Sequence, residues 1–173
     1  MHAIQMEATG GPEVLHWREV DGPSAAAGRI VVEVAAAGVN YIDTYHRTGL
    51  YPVALPFTPG LEGAGTVVDI GDGVEAVSPG DTVAWCTQPG SYAEQVSLDP
   101  AAVTKVPEGV APHVAAAVML QGMTAHYLAV DTYPLEPGDR CLVHAGAGGV
   151  GLLLIQIAKL RGAEVFTTVG TPE

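Results

Sequence analysis

Basic residues are scarce in this sequence, and their scarcity excludes several classes of partner. Seven Lys and Arg residues stand against 19 Asp and Glu residues, which gives a formal net charge of −12. A chain of this charge repels phosphate backbones and anionic membrane surfaces and has no basic patch with which to bind them. We therefore expect neither a nucleic acid nor a membrane as its partner.

Cysteine and long apolar runs are also rare. Only Cys86 and Cys141 are present, far apart and each among strand-like residues, so we expect two reduced, packed thiols and no disulfide framework. No N-terminal segment resembles a signal peptide, and the longest apolar run is far too short to cross a bilayer. These absences predict a soluble, cytoplasmic protein.

The most informative stretch is an apolar run that leads into a glycine-rich turn and a helical segment, from Cys141 to Leu160. Gly146, Gly148 and Gly151 fit the pattern G-x-G-x-x-G, and a second strand-like run follows at Glu164–Val169. Glycines at such a strand-to-helix junction let a pyrophosphate approach the backbone, and the helix N-terminus presents free N–H groups. The stretch therefore predicts a βαβ unit that binds a dinucleotide.

The sequence before this stretch predicts a compact β domain, a barrel or curled sheet. A short helix is expected from Asn40 to His46, and prolines hold an extended loop after it. Predicted strands lie at 2–7, 15–20, 29–39, 65–70, 82–85 and 91–96.

A change from strand-like to helical sequence patterns marks the expected domain boundary. A helix is predicted from Pro112 to Val130, with a break at Gln121-Gly122. We place the first domain at residues 1–118 and the start of the second at residues 119–173.

Five blocks in one order carry a resemblance to a known family: 38–45, 49–52, 59–65, 120–125 and 144–151. With these blocks the chain resembles the zinc-independent quinone oxidoreductases of the zeta-crystallin type, in the medium-chain dehydrogenase/reductase superfamily. The resemblance implies an α/β fold, with an N-terminal GroES-like β-barrel followed by the start of a Rossmann domain. It places the nicotinamide in the cleft between the two domains.

The resemblance also implies that the protein holds no zinc. The zinc-dependent relatives have a cysteine where this chain has Asn40 and a histidine where it has Leu61. They also carry a cluster of four cysteines near Cys86–Ser91. A catalytic zinc needs three protein ligands and a structural zinc needs four, so we expect no metal site.

Without zinc, the substrate must be oriented by hydrogen bonds, for which we name Asn40, Asp43, Tyr45 and Tyr51. The family reading places Asn40, Tyr45 and Tyr51 against both coenzyme and substrate. Two alternatives stay open: the tyrosine rings could simply pack at a domain edge, and Asp43 could be a helix-capping or structural carboxylate.

The expected coenzyme is NADPH. NAD-specific folds place Asp or Glu about 20 residues beyond the glycine motif, and here the segment Thr167–Thr171 has no carboxylate. Thr124 is expected beside the nicotinamide. The other residues expected to bind the coenzyme are Ala147, Gly148, Gly149, Val150, Gly151, Gly170 and Thr171.

The sequence thus predicts hydride transfer from NADPH to a quinone. Reduction of an enone or enal double bond by the same coenzyme is the related alternative, and a non-catalytic nucleotide-binding or structural role is the rival from another class. A doubly wound coenzyme domain has about six parallel strands, whereas only two are predicted here. We therefore expect either a part of a longer protein, homodimeric in its full length, or a natural half-protein. In both cases we expect little reductase activity from these 173 residues alone.

Overall fold

The computed structural model describes residues 1–170 and divides the chain into two compact units, Met1–Met119 and a second that begins at Leu120. The strands and helix of the first unit are β1 (His2–Gln5), β2 (His16–Glu19), β3 (Ile30–Gly38), α1 (Tyr41–Thr48), β4 (Glu62–Ile70), β5 (Thr82–Cys86), β6 (Gln95–Leu98) and β7 (Val103–Lys105). Helix α2 (Pro112–Tyr127) begins in the first unit and ends in the second. The second unit also contains β8 (Arg140–Val143), α3 (Gly149–Leu160) and β9 (Glu164–Thr167).

The first unit is built on an antiparallel sheet of five strands in the order β6-β3-β4-β5-β7, and β1 and β2 form a separate hairpin. The predicted hairpin and the predicted β domain are both confirmed. The core lies on this sheet because β-branched and aromatic side chains fit a pleated, buried face. Its fully buried members include Ile30, Val32, Val83, Trp85 and Leu98.

The strand predicted at residues 91–96 is wrong in its position, because β6 begins only at Gln95. The backbone N–H groups of Ser91 and Tyr92 donate instead to the carbonyl groups of Gly60 and Pro59, at 3.2 and 3.1 Å. A backbone that bonds to a loop cannot at the same time extend the sheet ladder. The segment before β6 instead pairs with β1, through a single antiparallel bridge between Ala93 and Ala3.

The helix break predicted at Gln121-Gly122 is also wrong, because α2 continues through both residues. A glycine inside a helix costs about 1 kcal/mol relative to alanine but keeps its backbone hydrogen bonds. Irregularity appears only after Tyr127, where a π-helical turn occupies Leu128–Thr132. Within residues 1–170, no helix has the length and apolar character needed to cross a bilayer.

The second unit contains the predicted βαβ arrangement, in which β8 and β9 run parallel and α3 connects them. The register pairs Arg140 with Glu164 and Val143 with Thr167. A small core forms where Ala129, Leu135 and Ala158 are buried between these elements. Strand β8 ends directly before the glycine turn, as the first strand of a nucleotide-binding βαβ unit does.

Candidate functional site

Asn40 is the residue from which α1 starts, and Asp43 holds it there. The carboxylate oxygen Oδ2 of Asp43 accepts the backbone N–H of Asn40 at 2.9 Å. A carboxylate in the first turn satisfies an otherwise unpaired donor and suits the positive end of the helix. The helix-capping contact that was left open for Asp43 is thus present, and Asp43 is only 7% exposed.

The side chain of Asn40 is bound by a residue that sequence reasoning did not single out. Its Nδ2 donates to Oε2 of Glu62 at 2.7 Å, and Glu62 is fully buried at the start of β4. Glu62 lies opposite Gly38 in the sheet register, and a Cβ atom on Gly38 would overlap the Glu62 carboxyl group. The glycine in the sequence Gly38-Val39-Asn40 therefore makes room for the carboxyl group that holds Asn40.

Tyr92 is a second residue that the sequence did not reveal as part of the site. Its hydroxyl donates to Oδ2 of Asp43 at 2.6 Å, and burial together with this contact raises the pKa of Tyr92 above its usual value. The ring packs on Gly60, whose φ of 89° and lack of a side chain allow the close approach. The only signal for this contact was Gly60 itself, within the block 59–65.

A cavity of about 230 Å³ opens where these residues meet. Asn40, Asp43 and Tyr92 line it together with apolar side chains such as Leu15 and Val39. The other carboxylate oxygen of Asp43, Oδ1, is buried and has no hydrogen-bond donor among residues 1–170. The first unit thus brings two of the predicted site residues, Asn40 and Asp43, to one cavity.

Tyr45 and Tyr51 lie elsewhere, in a row of aromatic rings. The ring centroids of Tyr41 and Tyr45 are 5.6 Å apart and those of Tyr45 and Tyr51 are 5.3 Å apart, both in edge-to-face geometry. Positions 43 and 45 point about 200° apart around a helix axis. The four predicted residues therefore form two groups, with Asn40 and Asp43 at the cavity and Tyr45 and Tyr51 in the row of rings.

The glycine turn in the second unit has the geometry of an anion-binding helix N-terminus. Gly148 immediately precedes α3, and a cavity of about 410 Å³ is lined by residues that include His144, Gly148 and Gly149. A Cβ atom on Gly151 would collide with the carbonyl oxygen of Ala145. Free N–H groups and the helix dipole favour a phosphate at such a position, so the residues present fit a dinucleotide.

The hydroxyl of Thr168 contacts the first residues of this turn. Its hydroxyl oxygen accepts the N–H of Ala145 at 3.3 Å and lies 3.2 Å from Nδ1 of His144. Gly170 is exposed with open space around it, whereas Thr171 lies outside the described residues.

Thr124 is positioned by α2 in the second unit. Its hydroxyl donates to the carbonyl oxygen of Leu120 at 2.7 Å. The hydroxyl oxygen still has lone pairs that can accept a hydrogen bond. The Thr124 hydroxyl can therefore accept a hydrogen bond from an N–H group while it donates its own proton to the helix backbone.

Potential metal ligands are dispersed in the described part of the chain. Among residues 1–170, no three His, Cys, Asp or Glu side chains gather in a way that could hold a metal ion. Cys86 and Cys141 are both free thiols, and burial and the charge of Glu62 raise the pKa of Cys86. A raised pKa disfavours the thiolate, which is the form that reacts and binds metals. The absence of zinc stays a prediction.

Known proteins resemble this chain in both sequence and structure. Quinone oxidoreductase of Pseudomonas aeruginosa is 44% identical over 172 residues, which cover 98% of this chain and 53% of that protein. The crystal structure of Escherichia coli quinone oxidoreductase complexed with NADPH superimposes with a TM-score of 0.96 at 40% identity, and covers 99% of this chain and 53% of that chain. The 2-haloacrylate reductase of a Burkholderia species is 38% identical over 179 residues, 99% of this chain and 54% of that protein.

The chain spans about half the length of the curated relatives that it matches. Residues 26–140 match the alcohol dehydrogenase GroES-like domain, which is most of the first unit together with α2 and the first residue of β8. This match covers more than half of the chain, and the similarity to quinone oxidoreductases extends across both units. The chain therefore belongs to the alcohol dehydrogenase GroES-like family, among the relatives of the quinone oxidoreductases.

Proposed function

We propose that the protein carrying this chain reduces quinones with NADPH. The observation that carries the proposal is the glycine turn at the N-terminus of α3, with its adjoining cavity of about 410 Å³. NADPH, when bound, supplies the hydride, and the protein has to hold and orient the two reactants. The similarity to quinone oxidoreductases, one of them complexed with NADPH, supports this assignment.

On the coenzyme side, the backbone of residues 147–151 is proposed to bind the pyrophosphate. Thr124 is proposed to accept a hydrogen bond from the nicotinamide amide. Gly170 and Thr171 are proposed to lie near the ribose 2′-phosphate, where a carboxylate would repel that phosphate. This arrangement favours NADPH over NADH.

On the substrate side, Asn40, Tyr45 and Tyr51 are proposed to contact coenzyme and substrate. Tyr51 is 48% exposed, and its ring together with that of Tyr45 offers an aromatic surface. Flat aromatic rings stack favourably on such a surface. The contacts of Asp43 support a role in holding Asn40, and its direct participation in catalysis remains a proposal.

A second candidate function is reduction of an activated carbon–carbon double bond. The similarity to a 2-haloacrylate reductase favours it. Hydride delivery to an enone or enal requires the same coenzyme and the same kind of cleft. A small acceptor of this class would make less use of the aromatic surface formed by Tyr45 and Tyr51, which is why we rank it second.

Further properties of the whole protein are part of the same proposal. We propose a GroES-like domain over residues 1–118 and a coenzyme domain that starts at residue 119. We further propose a cytoplasmic location, a homodimeric assembly and a reaction without zinc. Elemental analysis of dialysed, untagged protein tests the last point, because stoichiometric zinc would contradict it.

Oxidation of NADPH by the native gene product that carries this chain tests the proposed function. A benzoquinone or naphthoquinone should be reduced faster than an enone at equal concentration. Faster reduction of the enone would favour the second candidate. A protein that quenches NADPH fluorescence but reduces neither acceptor would contradict both and indicate a binding role.

A further inference from the structure

Glu62 is buried at the start of β4 and Tyr92 lines the 230 Å³ cavity beside Asn40, and neither has a part in the proposed contacts with coenzyme or substrate. We propose that they are positioning residues: Glu62 fixes the side-chain amide of Asn40, and Tyr92, acting through Asp43, fixes its backbone N–H. The inference rests on the proposed function only in the claim that Asn40 faces the reaction.

Glu62 determines which way the amide of Asn40 points. The two ends of an asparagine amide differ, because the nitrogen only donates and the oxygen only accepts. Oε2 of Glu62 is an acceptor here, and it receives the hydrogen bond that Nδ2 of Asn40 donates at 2.7 Å. Turning the amide over would bring two acceptors together inside the protein, where both are shielded from water. The carbonyl oxygen of Asn40 is therefore directed away from Glu62.

Tyr92 fixes the backbone of the same residue. Oδ2 of Asp43 accepts both the hydroxyl of Tyr92 at 2.6 Å and the backbone N–H of Asn40 at 2.9 Å. Tyr92 is itself held by its backbone bond to Pro59 and by its packing against Gly60. Its hydroxyl thus connects the loop before β4 to the first turn of α1.

Placing this polar cluster in a domain interior costs stability. Burial of carboxyl groups is costly unless every oxygen is paired, and apolar side chains of similar volume would stabilise the fold as well or better. One oxygen of Asp43 has no donor among residues 1–170. Three members of the cluster, Asn40, Asp43 and Tyr92, line the 230 Å³ cavity. A polar network that costs stability and lines a cavity is better explained by orientation of Asn40, which it holds by both its side chain and its backbone, than by stability.

The first test measures the Asn40 amide directly in the 15N-labelled chain. Glu62→Gln should shift the side-chain amide protons of Asn40 and reduce the separation between them. The matched control Glu33→Gln, at an exposed position of β3, should leave them unchanged. Unchanged Asn40 signals in Glu62→Gln would overturn the proposal.

Tyr92→Phe tests whether Tyr92 fixes the backbone N–H of Asn40. This test stands even if Glu62→Gln does not fold. Hydrogen exchange of the Asn40 backbone N–H should become about tenfold faster, since one fixed contact of its acceptor is lost. The control Tyr133→Phe, 62% exposed in the second unit, should exchange at the rate of the unmodified chain. Equal exchange rates at Asn40 in Tyr92→Phe and the unmodified chain would overturn this part of the proposal.

A double-mutant cycle in the native gene product connects positioning to turnover. Glu62→Gln should lower kcat/KM for the quinone about tenfold, because small displacements of an orienting group are costly. Asn40→Ala combined with Glu62→Gln should be no slower than Asn40→Ala alone. Additive losses would overturn the proposal. If Asn40→Ala leaves turnover unchanged, the proposed role of Asn40 is wrong, and the amide signals still decide whether Glu62 positions it.

Discussion

The two units of this chain differ in how their apolar side chains are placed. In the first unit the large side chains of the sheet are buried, and Trp85, Ile30 and Leu98 have no exposed surface. In the second unit Leu160 is 87% exposed and Leu142 is 58% exposed, while the buried core is mostly alanine. The fold of the first unit thus depends mainly on buried side chains. The main feature of the second unit is the backbone geometry of its glycine turn. Substitutions in the two units should therefore have different consequences.

The largest effect on stability is expected at Trp85. Trp85→Ala should lower the free energy of unfolding by about 3–5 kcal/mol, because it removes a large buried ring and leaves a cavity. The matched change Phe166→Ala in β9, where the ring is 44% exposed, should cost about 1 kcal/mol or less. Urea denaturation followed by circular dichroism measures both. Equal losses would show that burial does not distinguish the two units.

The largest effect on coenzyme binding is expected at Gly151. Gly151→Ala should weaken NADPH binding tenfold or more, about 1.4 kcal/mol, because its Cβ atom would collide with the Ala145 carbonyl and distort the turn. Gly22→Ala in the first unit is the control, since a Cβ there meets only an ordinary contact at 3.7 Å. Fluorescence titration with NADPH gives both dissociation constants. Unaltered affinity in Gly151→Ala would place the nucleotide elsewhere.

An effect of intermediate size is expected from Tyr92 at alkaline pH. Its pKa is raised in the folded protein, so its contribution to stability is complete below the unfolded value of 10.0 and is lost as pH rises further. Tyr92→Phe should make the loss of stability above pH 10 shallower, by up to about 1 kcal/mol per pH unit given its partial exposure. Urea denaturation between pH 8 and 11 measures this slope, and an unchanged slope in Tyr92→Phe would contradict the prediction.

The smallest effect on stability is expected at Leu160. Leu160→Lys should change the free energy of unfolding by no more than about 0.5 kcal/mol, because the side chain is already exposed and a cation suits a helix C-terminus. The same change should reduce self-association, since it removes apolar surface from the second unit. Sedimentation velocity and urea denaturation test the two statements. A large loss of stability would show that Leu160 is buried in solution.

Local patterns in the sequence predicted the elements that local chemistry determines. The hairpin at the N-terminus, the helix capped by Asn40 and the strand-turn-helix around Gly148 follow from alternation, capping and glycine placement. The parts that the sequence did not reveal depend on contacts between distant segments. Glu62 meets Asn40 only after β3 and β4 pair, and Tyr92 meets Asp43 only because its backbone bonds to the loop at Pro59.

The position of the coenzyme is tested most directly by adding NADPH to the 15N-labelled chain and following every backbone amide signal. We predict that the largest shifts occur at residues 147–151 and at Gly170, and that the indole N–H of the buried Trp85 does not move. Saturable shifts of this pattern would support a dinucleotide site at the N-terminus of α3. Absence of saturable shifts at millimolar NADPH, or shifts centred in the first unit, would contradict it.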